Sequence, residues 1–339
     1  MICPHCEKSL LRKERPGNVC GGCRRRYALD PKTSPLELSD LRVRRVLAKL
    51  TEEGRLPCTP GHLWYALSRR SLRSARGDGG CVAASLLFGG VLTASAMVGG
   101  PAFLVVVGVL LLLLGVVLLV SKALGVGRGR PRLPRERFHS DVLGPWARVY
   151  GGLPPGVVDD RKYPRPGPEP AGGYHATLLC PDLSVAAFLA AEGLPARFGL
   201  LLAREVSGVL AHGPVLVLHD AGARGLLLPG QVRAALPGRR VVGAGPPLRV
   251  VRALPNAVPY RERRPGKDVL VALTATGDHT EDELAWLRRG WSFPLVAIPP
   301  VRLLAVVGRD AERMTRGVDP EWRRAAGVGF LTWPSGEAR

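Results

Sequence analysis

The chain has 339 residues, room for two modest domains, and sets 48 basic against 28 acidic residues for a net charge of +20. Arginine outnumbers lysine 41 to seven and glycine plus proline make 73 residues, so the charge reflects a compositional bias as much as a nucleic-acid partner. Aromatic residues at 6% are too few for a single-strand stacking platform, and seven cysteines in this length exclude a disulfide-built scaffold.

The N-terminus reads Cys3-Pro-His-Cys6, then, after thirteen residues, Cys20-Gly-Gly-Cys23. Each CxxC pair folds as a tight knuckle, and two such pairs point four thiolates at one ion. Gly21 and Gly22 are expected to supply positive φ in the second knuckle. Residues 1–35 thus resemble a zinc ribbon, with Cys3, Cys6, Cys20 and Cys23 as ligands of a structural zinc. CPHC also occurs as a thiol-exchange motif, but there it follows a strand and opens a helix, and at residue 3 no preceding strand is expected. His5 reads as a knuckle surface residue, and the isolated Cys58, Cys81 and Cys180 as inert packing thiols.

Residues 36–78 read as a basic helical segment. Val43, Val46, Leu47 and Leu50 form a helix stripe, and Thr59-Pro60 opens a second helix carrying Leu63, Trp64 and Leu67. Residues 1–80 hold 17 basic and eight acidic side chains. A cationic face near an anionic membrane accounts for this more simply than a grip on DNA or RNA.

From Asp78 to Lys122 there is no charge across 43 residues, long enough for two membrane spans at about 20 residues each. Gly99-Gly100-Pro101 divides the stretch at its middle, which predicts a two-helix transmembrane hairpin within 79–121, at 81–99 and 102–120. Arg69, Arg70, Arg73 and Arg76 flank one end; Lys122, Arg128, Arg130, Arg132, Arg135 and Arg137 flank the other. By the positive-inside rule both termini face the cytoplasm from the inner (cytoplasmic) membrane, and the flank from Lys122 to Arg137 lies on anionic headgroups of the bilayer. Gly89-Gly90, Gly108 and Gly115 offer small surfaces for close helix contact. With no ionisable side chain in the spans, transport has nothing to run on.

Residues 122–172, rich in Pro, Gly and Arg, read as a linker with one structured patch around Trp146 and Tyr150. Beyond it, residues 173–316 alternate strands and helices, which predicts a Rossmann-like α/β domain with a mostly parallel sheet, and 317–339 form a tail. Expected strands are HATLLC, PVLVLHD, RRVVGAG, KDVLVAL and PLVAI. Expected helices are LSVAAFLAAEG, Phe198–Leu210, Leu226–Leu236, TEDELAWLRRG with Thr280 as its cap, and Val301–Met314.

Ligands on such sheets bind at the carboxyl ends of strands, here Cys180-Pro-Asp182, His219-Asp220 and Gly243-Ala-Gly245. GPVLVLHDAGARG resembles the DxDxxG strand end of Toprim domains. The resemblance implies Asp220 as the first Asp and Gly225 as the glycine, with Gly222 standing where the second Asp belongs. Such chemistry needs clustered carboxylates for magnesium, so Asp220 is read instead as a helix N-cap. His175, His212 and His219 read as structural or surface residues. The sequence therefore points to an anchored, non-enzymatic binding or scaffolding protein holding a protein partner. Two alternatives stand beside it: a membrane-tethered nucleic-acid-binding protein with a degenerate Toprim-like domain, and a hydrolase whose site is not identified.

Overall fold

The computed structural model describes residues 1–73, 79–97, 99, 101–123, 128–162 and 173–315. Asp78, Gly100, the YPRPGPEP run and the tail lie outside them. Helix α1 (Asp40–Leu50) opens where Ser39 accepts the Arg42 N–H, and it buries Val43 and Leu47, the stripe the spacing predicts. Helix α2 (Pro60–Arg73) buries Leu63, Trp64 and Leu67. Its first intrahelical bond runs from Leu63 N–H to Thr59 O at 3.1 Å, while the Thr59 hydroxyl pairs with His62 Nδ1 at 2.7 Å.

Helices α3 (Gly79–Met97) and α4 (Ala102–Ala123) lie side by side. Gly99 takes φ +117 in the turn, a value open to glycine. A Cβ at Gly89 would lie 2.9 Å from the Gly108 carbonyl oxygen, and one at Gly115 would lie 2.6 Å from Leu86 Cδ2. Gly90 differs from the expectation, since it faces open space. Among the described residues one helix, over Phe103–Val120, is long and apolar enough to cross a membrane; the apolar part of α3, Val82–Ser95, is shorter. Leu87, Phe88, Val91, Phe103, Val106 and Leu110 all point outward.

Within the expected linker, the patch around Trp146 and Tyr150 is a helical corner. Helix α5 (Arg135–Phe138) runs through a π turn into α6 (Gly144–Tyr150), burying Phe138, Val142, Leu143 and Trp146. Proline and glycine mark its start and end rather than preventing it, with Gly151 left-handed after α6.

The remaining elements are β1 (Ala176–Leu179), α7 (Leu183–Ala191), α8 (Leu194–Arg197), β2 (Leu200–Ala203), β3 (Val215–Leu218), α9 (Ala223–Ala235), β4 (Val241–Ala244), α10 (Leu248–Ala253), β5 (Tyr260–Arg261), α11 (Lys267–Ala275), α12 (Glu281–Arg288), β6 (Trp291–Ser292) and α13 (Pro300–Thr315). Four strands form one parallel sheet in the order β2-β1-β3-β4, and β5 pairs antiparallel with β6. Strand alternation sends Leu178, Leu200 and Leu216 to a face packed by α7 and α13, and Leu179, Val215 and Val217 to a face packed by α9.

Three expected elements differ. LLLA within Phe198–Leu210 is the edge strand β2, KDVLVAL is the helix α11, and Leu295–Ala297 of PLVAI is a single 3₁₀ turn. Thr280 caps α12 as expected, in a box with Glu283. The main core runs without a break from Leu29 and Leu63 through Phe138 to Leu178 and Val307, across the boundaries drawn at 36, 122 and 173. Trp64 Nε1 donates to Leu133 O at 2.9 Å, and Tyr65 Oη donates to Val258 O at 2.8 Å.

Candidate metal centre

The two CxxC segments fold as equivalent knuckles. Cys3 N–H donates to Lys8 O at 3.0 Å and Glu7 N–H to Cys3 O at 3.1 Å; Cys20 N–H donates to Arg25 O at 3.0 Å and Arg24 N–H to Cys20 O at 2.8 Å. The left-handed residue in each is Glu7 (φ 58) or Arg24 (φ 57), just after the second cysteine. That corrects the expectation for Gly21 and Gly22, neither of which has positive φ. Gly21 serves close approach instead: its N–H donates to Glu14 O at 2.8 Å, and a Cβ there would lie 2.7 Å from that oxygen.

This folding brings all four sequence-predicted ligands together. Cys3 Sγ lies 3.8 Å from Cys23 Sγ, Cys6 Sγ lies 3.8 Å from Cys20 Sγ, and all four sulfurs fall within 4.8 Å of one another. Metal–sulfur bonds of about 2.3 Å in a tetrahedron place sulfurs about 3.8 Å apart, so the cluster can hold one metal ion. A disulfide needs sulfurs about 2.05 Å apart. Backbone N–H groups of Gly22 (3.4 Å) and Cys23 (3.5 Å) point at Cys20 Sγ. The Cys23 amide is the larger influence in lowering the Cys20 thiol to about 6, whereas burial raises Cys3 to about 11.

Further contacts hold the cluster on the body. His5 Nε2 pairs with Arg26 O at 2.8 Å, which leaves its ring outside the sulfur set. Buried Asp40 accepts the N–H groups of Ala28 (2.9 Å) and Leu29 (2.8 Å) and the Tyr150 hydroxyl (2.5 Å), joining the head to α1 and α6. Sequence spacing does not link Asp40 to Tyr150, 110 residues away. Cys58 and Cys180 are buried, and burial raises both thiols, Cys58 to about 12; the Cys81 side chain lies outside the described set.

The carboxyl ends of β1 and β3 flank the point where strand order reverses, and a cavity of about 280 Å³ opens there. Asp182, His219, Asp220, Arg224 and Gln231 line it. Asp182 caps α7 through Ser184 N–H (2.9 Å) and Val185 N–H (3.1 Å), and Arg135 grips both its oxygens at 2.8 Å. Burial works to raise Asp182, but the Arg135 fork and the amides prevail and hold it below the usual carboxylate range.

Asp220 does not cap a helix. Gly222 is the N-cap of α9, and among the described residues the Asp220 carboxylate accepts the Gly222 N–H alone, at 3.2 Å. Burial, then the Glu262 charge, raises Asp220 to about 7. Gly225 leaves room for this carboxylate, since a Cβ there would lie 1.9 Å from Asp220 Oδ1. Among the described residues no third metal-ligating side chain joins Asp182 and Asp220, and the four cysteines alone form a group able to share an ion. His219 Nδ1 pairs with Asp220 O at 2.9 Å, His175 packs on Gly199, and the His212 carbonyl accepts from Arg239. No protein-family model, curated protein or solved structure matches this chain.

Proposed function

We propose that this chain is a cytoplasm-facing protein of the inner membrane, held by a two-span hairpin, whose zinc ribbon and α/β body act as a non-enzymatic scaffold for a protein partner. The observation that carries the anchoring is α4: Phe103–Val120 has a mean hydropathy of 3.4 and keeps its large side chains outward. Helix α3 goes with it, because Gly89, Gly108 and Gly115 bring the two backbones into contact. At 19 residues α3 is about 28 Å long, close to the thickness of a hydrocarbon core. The uncharged turn between the spans and the basic flanks keep both termini in the cytoplasm.

Zinc is the metal that four thiolates at tetrahedral spacing suit, and with four protein ligands no position stays open for water, so its role is structural. Asp182 is engaged by Arg135, which leaves Asp220 without a second carboxylate to share magnesium.

The full chain, extracted in mild detergent under anaerobic conditions, should contain one zinc. Metal analysis without zinc ends the ribbon reading. Reporter fusions at Arg76 and Arg137 should give the same cytoplasmic readout, and opposite readouts would reduce the hairpin to one span. Nucleic-acid binding with a steep salt dependence would replace the scaffold reading by the tethered nucleic-acid one.

A further inference from the structure

The basic flank after α4 is less available to lipid than its sequence indicates. Arg132 pairs with Glu37 at 2.9 Å, and Arg135 is turned onto Asp182. Other arginines stand where these two are withdrawn. Gly129 N–H donates to Leu72 O at 3.0 Å, and Arg261 N–H donates to Gly129 O at 2.7 Å. Gly129 has φ +78, and a Cβ there would lie 2.2 Å from Trp291 Cζ3, so no side chain fits. Leu72 is near the end of α2 and Gly129 follows six residues after α4, so both strands of chain leading to the hairpin meet on the β5–β6 pair. Six residues reach at most about 20 Å, which sets β5–β6 within that distance of the end of α4.

Around this point Arg128, Arg130, Arg263, Arg264 and Arg289 are exposed, and none of them has an ion pair among the described residues. Arg261 stacks on Trp291 at 4.6 Å, and its buried Nε has no hydrogen-bond partner. Burial lowers the Arg261 pKa, and Arg130, Arg264 and Arg289 lower it further, so the arginines act on one another as a single positive field. Arg224, Arg263 and Arg264 line a cavity of about 170 Å³ beside Trp291. One carboxylate, Glu262, shares that lining and takes the Tyr260 hydroxyl. Trp286 stacks with Trp291 at 6.2 Å, an aromatic pair of the kind found at headgroup depth.

We propose that the face made by β5, β6 and residues 128–130 rests on anionic phospholipid headgroups, with Arg263, Arg264 and Arg289 meeting their phosphates. The proposal rests on the anchoring reading and adds to it that the α/β body, beyond the flanks of the hairpin, is held against the membrane. Charge complementarity and continuity with the hairpin favour lipid as the occupant.

The test places the full chain in nanodiscs of phosphatidylcholine alone, or mixed with phosphatidylglycerol, and follows amide hydrogen exchange. Exchange over 260–264 and 289–292 should slow about fivefold or more in the anionic discs, and added salt should erase the difference. The R263Q/R264Q/R289Q variant should lose the difference while β3 and α7 stay protected as in wild type. Arg261 is kept, because removing it also removes the stack on Trp291. Equal exchange in both discs, with the chain firmly inserted, would overturn the proposal and leave the anchor standing. Protection by inorganic phosphate or by an oligonucleotide in neutral discs, without an effect of anionic lipid, would overturn it too. Failure of the chain to enter discs at all would remove the anchor, and this proposal with it.

Discussion

Replacing Asp220 by Asn should stabilise the protein above neutral pH and leave it nearly unchanged in acid. The Asp220 pKa rises from 3.8 in the open chain to about 7 in the fold, so the folded state holds the proton more tightly. Stability from this group is therefore complete below pH 3.8 and is lost as pH climbs through about 7. The shift of about three units corresponds to a ceiling of about 4 kcal/mol. Asp220 is half-buried at the edge of the cavity, and screening by solvent there brings the expected effect to about 2 kcal/mol. Asparagine keeps an acceptor for the Gly222 N–H and carries no charge. His62 acts with the opposite sign, since burial lowers it from 6.5 to about 4 and stability from it is lost as pH falls through that window. The two groups offset each other in the wild type between about pH 4 and 6.5, whereas the variant should climb steadily there. Thermal melts of the detergent-solubilised full chain across this range, read by tryptophan fluorescence, provide the measurement. A difference between variant and wild type that does not change with pH would mean that Asp220 does not hold a proton more tightly in the fold than in the open chain.

Three further outcomes follow from close contacts. Gly108→Ala puts a Cβ 2.8 Å from Thr93 N and should cost about 1–3 kcal/mol in unfolding by SDS, while Gly90→Ala, facing open space, should be neutral. Gly21→Ala crowds the Glu14 carbonyl and should weaken metal retention against a chelator without touching a ligand. Asp182→Asn keeps an oxygen for the α7 amides but strands Arg135, and a loss of about 3 kcal/mol in chemical denaturation is expected. Full stability in that variant would show that the pair contributes little.

The four-cysteine cluster was legible because ligand chemistry imposes a short, fixed spacing on neighbouring residues. The central strands β1 and β3 were legible for a related reason: fully buried parallel strands read as unbroken apolar runs. KDVLVAL reads the same way over seven residues, yet it lies on the surface as α11 with Leu273 its one buried side chain. LLLA carries strong helix formers, and pairing with β1 overrides that preference. At the sheet end, Asp220 looked like a cap because it ends a strand before a helix, but the turn runs two residues further before α9 begins. Arg135, which occupies Asp182, comes from a segment read as linker 47 residues earlier, and no local pattern joins them.

The unbroken core sets a schedule for the newborn chain. Trp64 and Tyr65 emerge early, but Tyr65 waits for Val258, 193 residues later. At synthesis rates of about 5–20 residues per second, that interval is about 10–40 s. The cysteine knuckles need no such wait, since Cys3 and Cys23 are 20 residues apart and can close while translation continues. Helix α2 meanwhile lacks the cover that Phe138 and Val258 bring, so a chain that stops short leaves apolar surface open to aggregation and proteases.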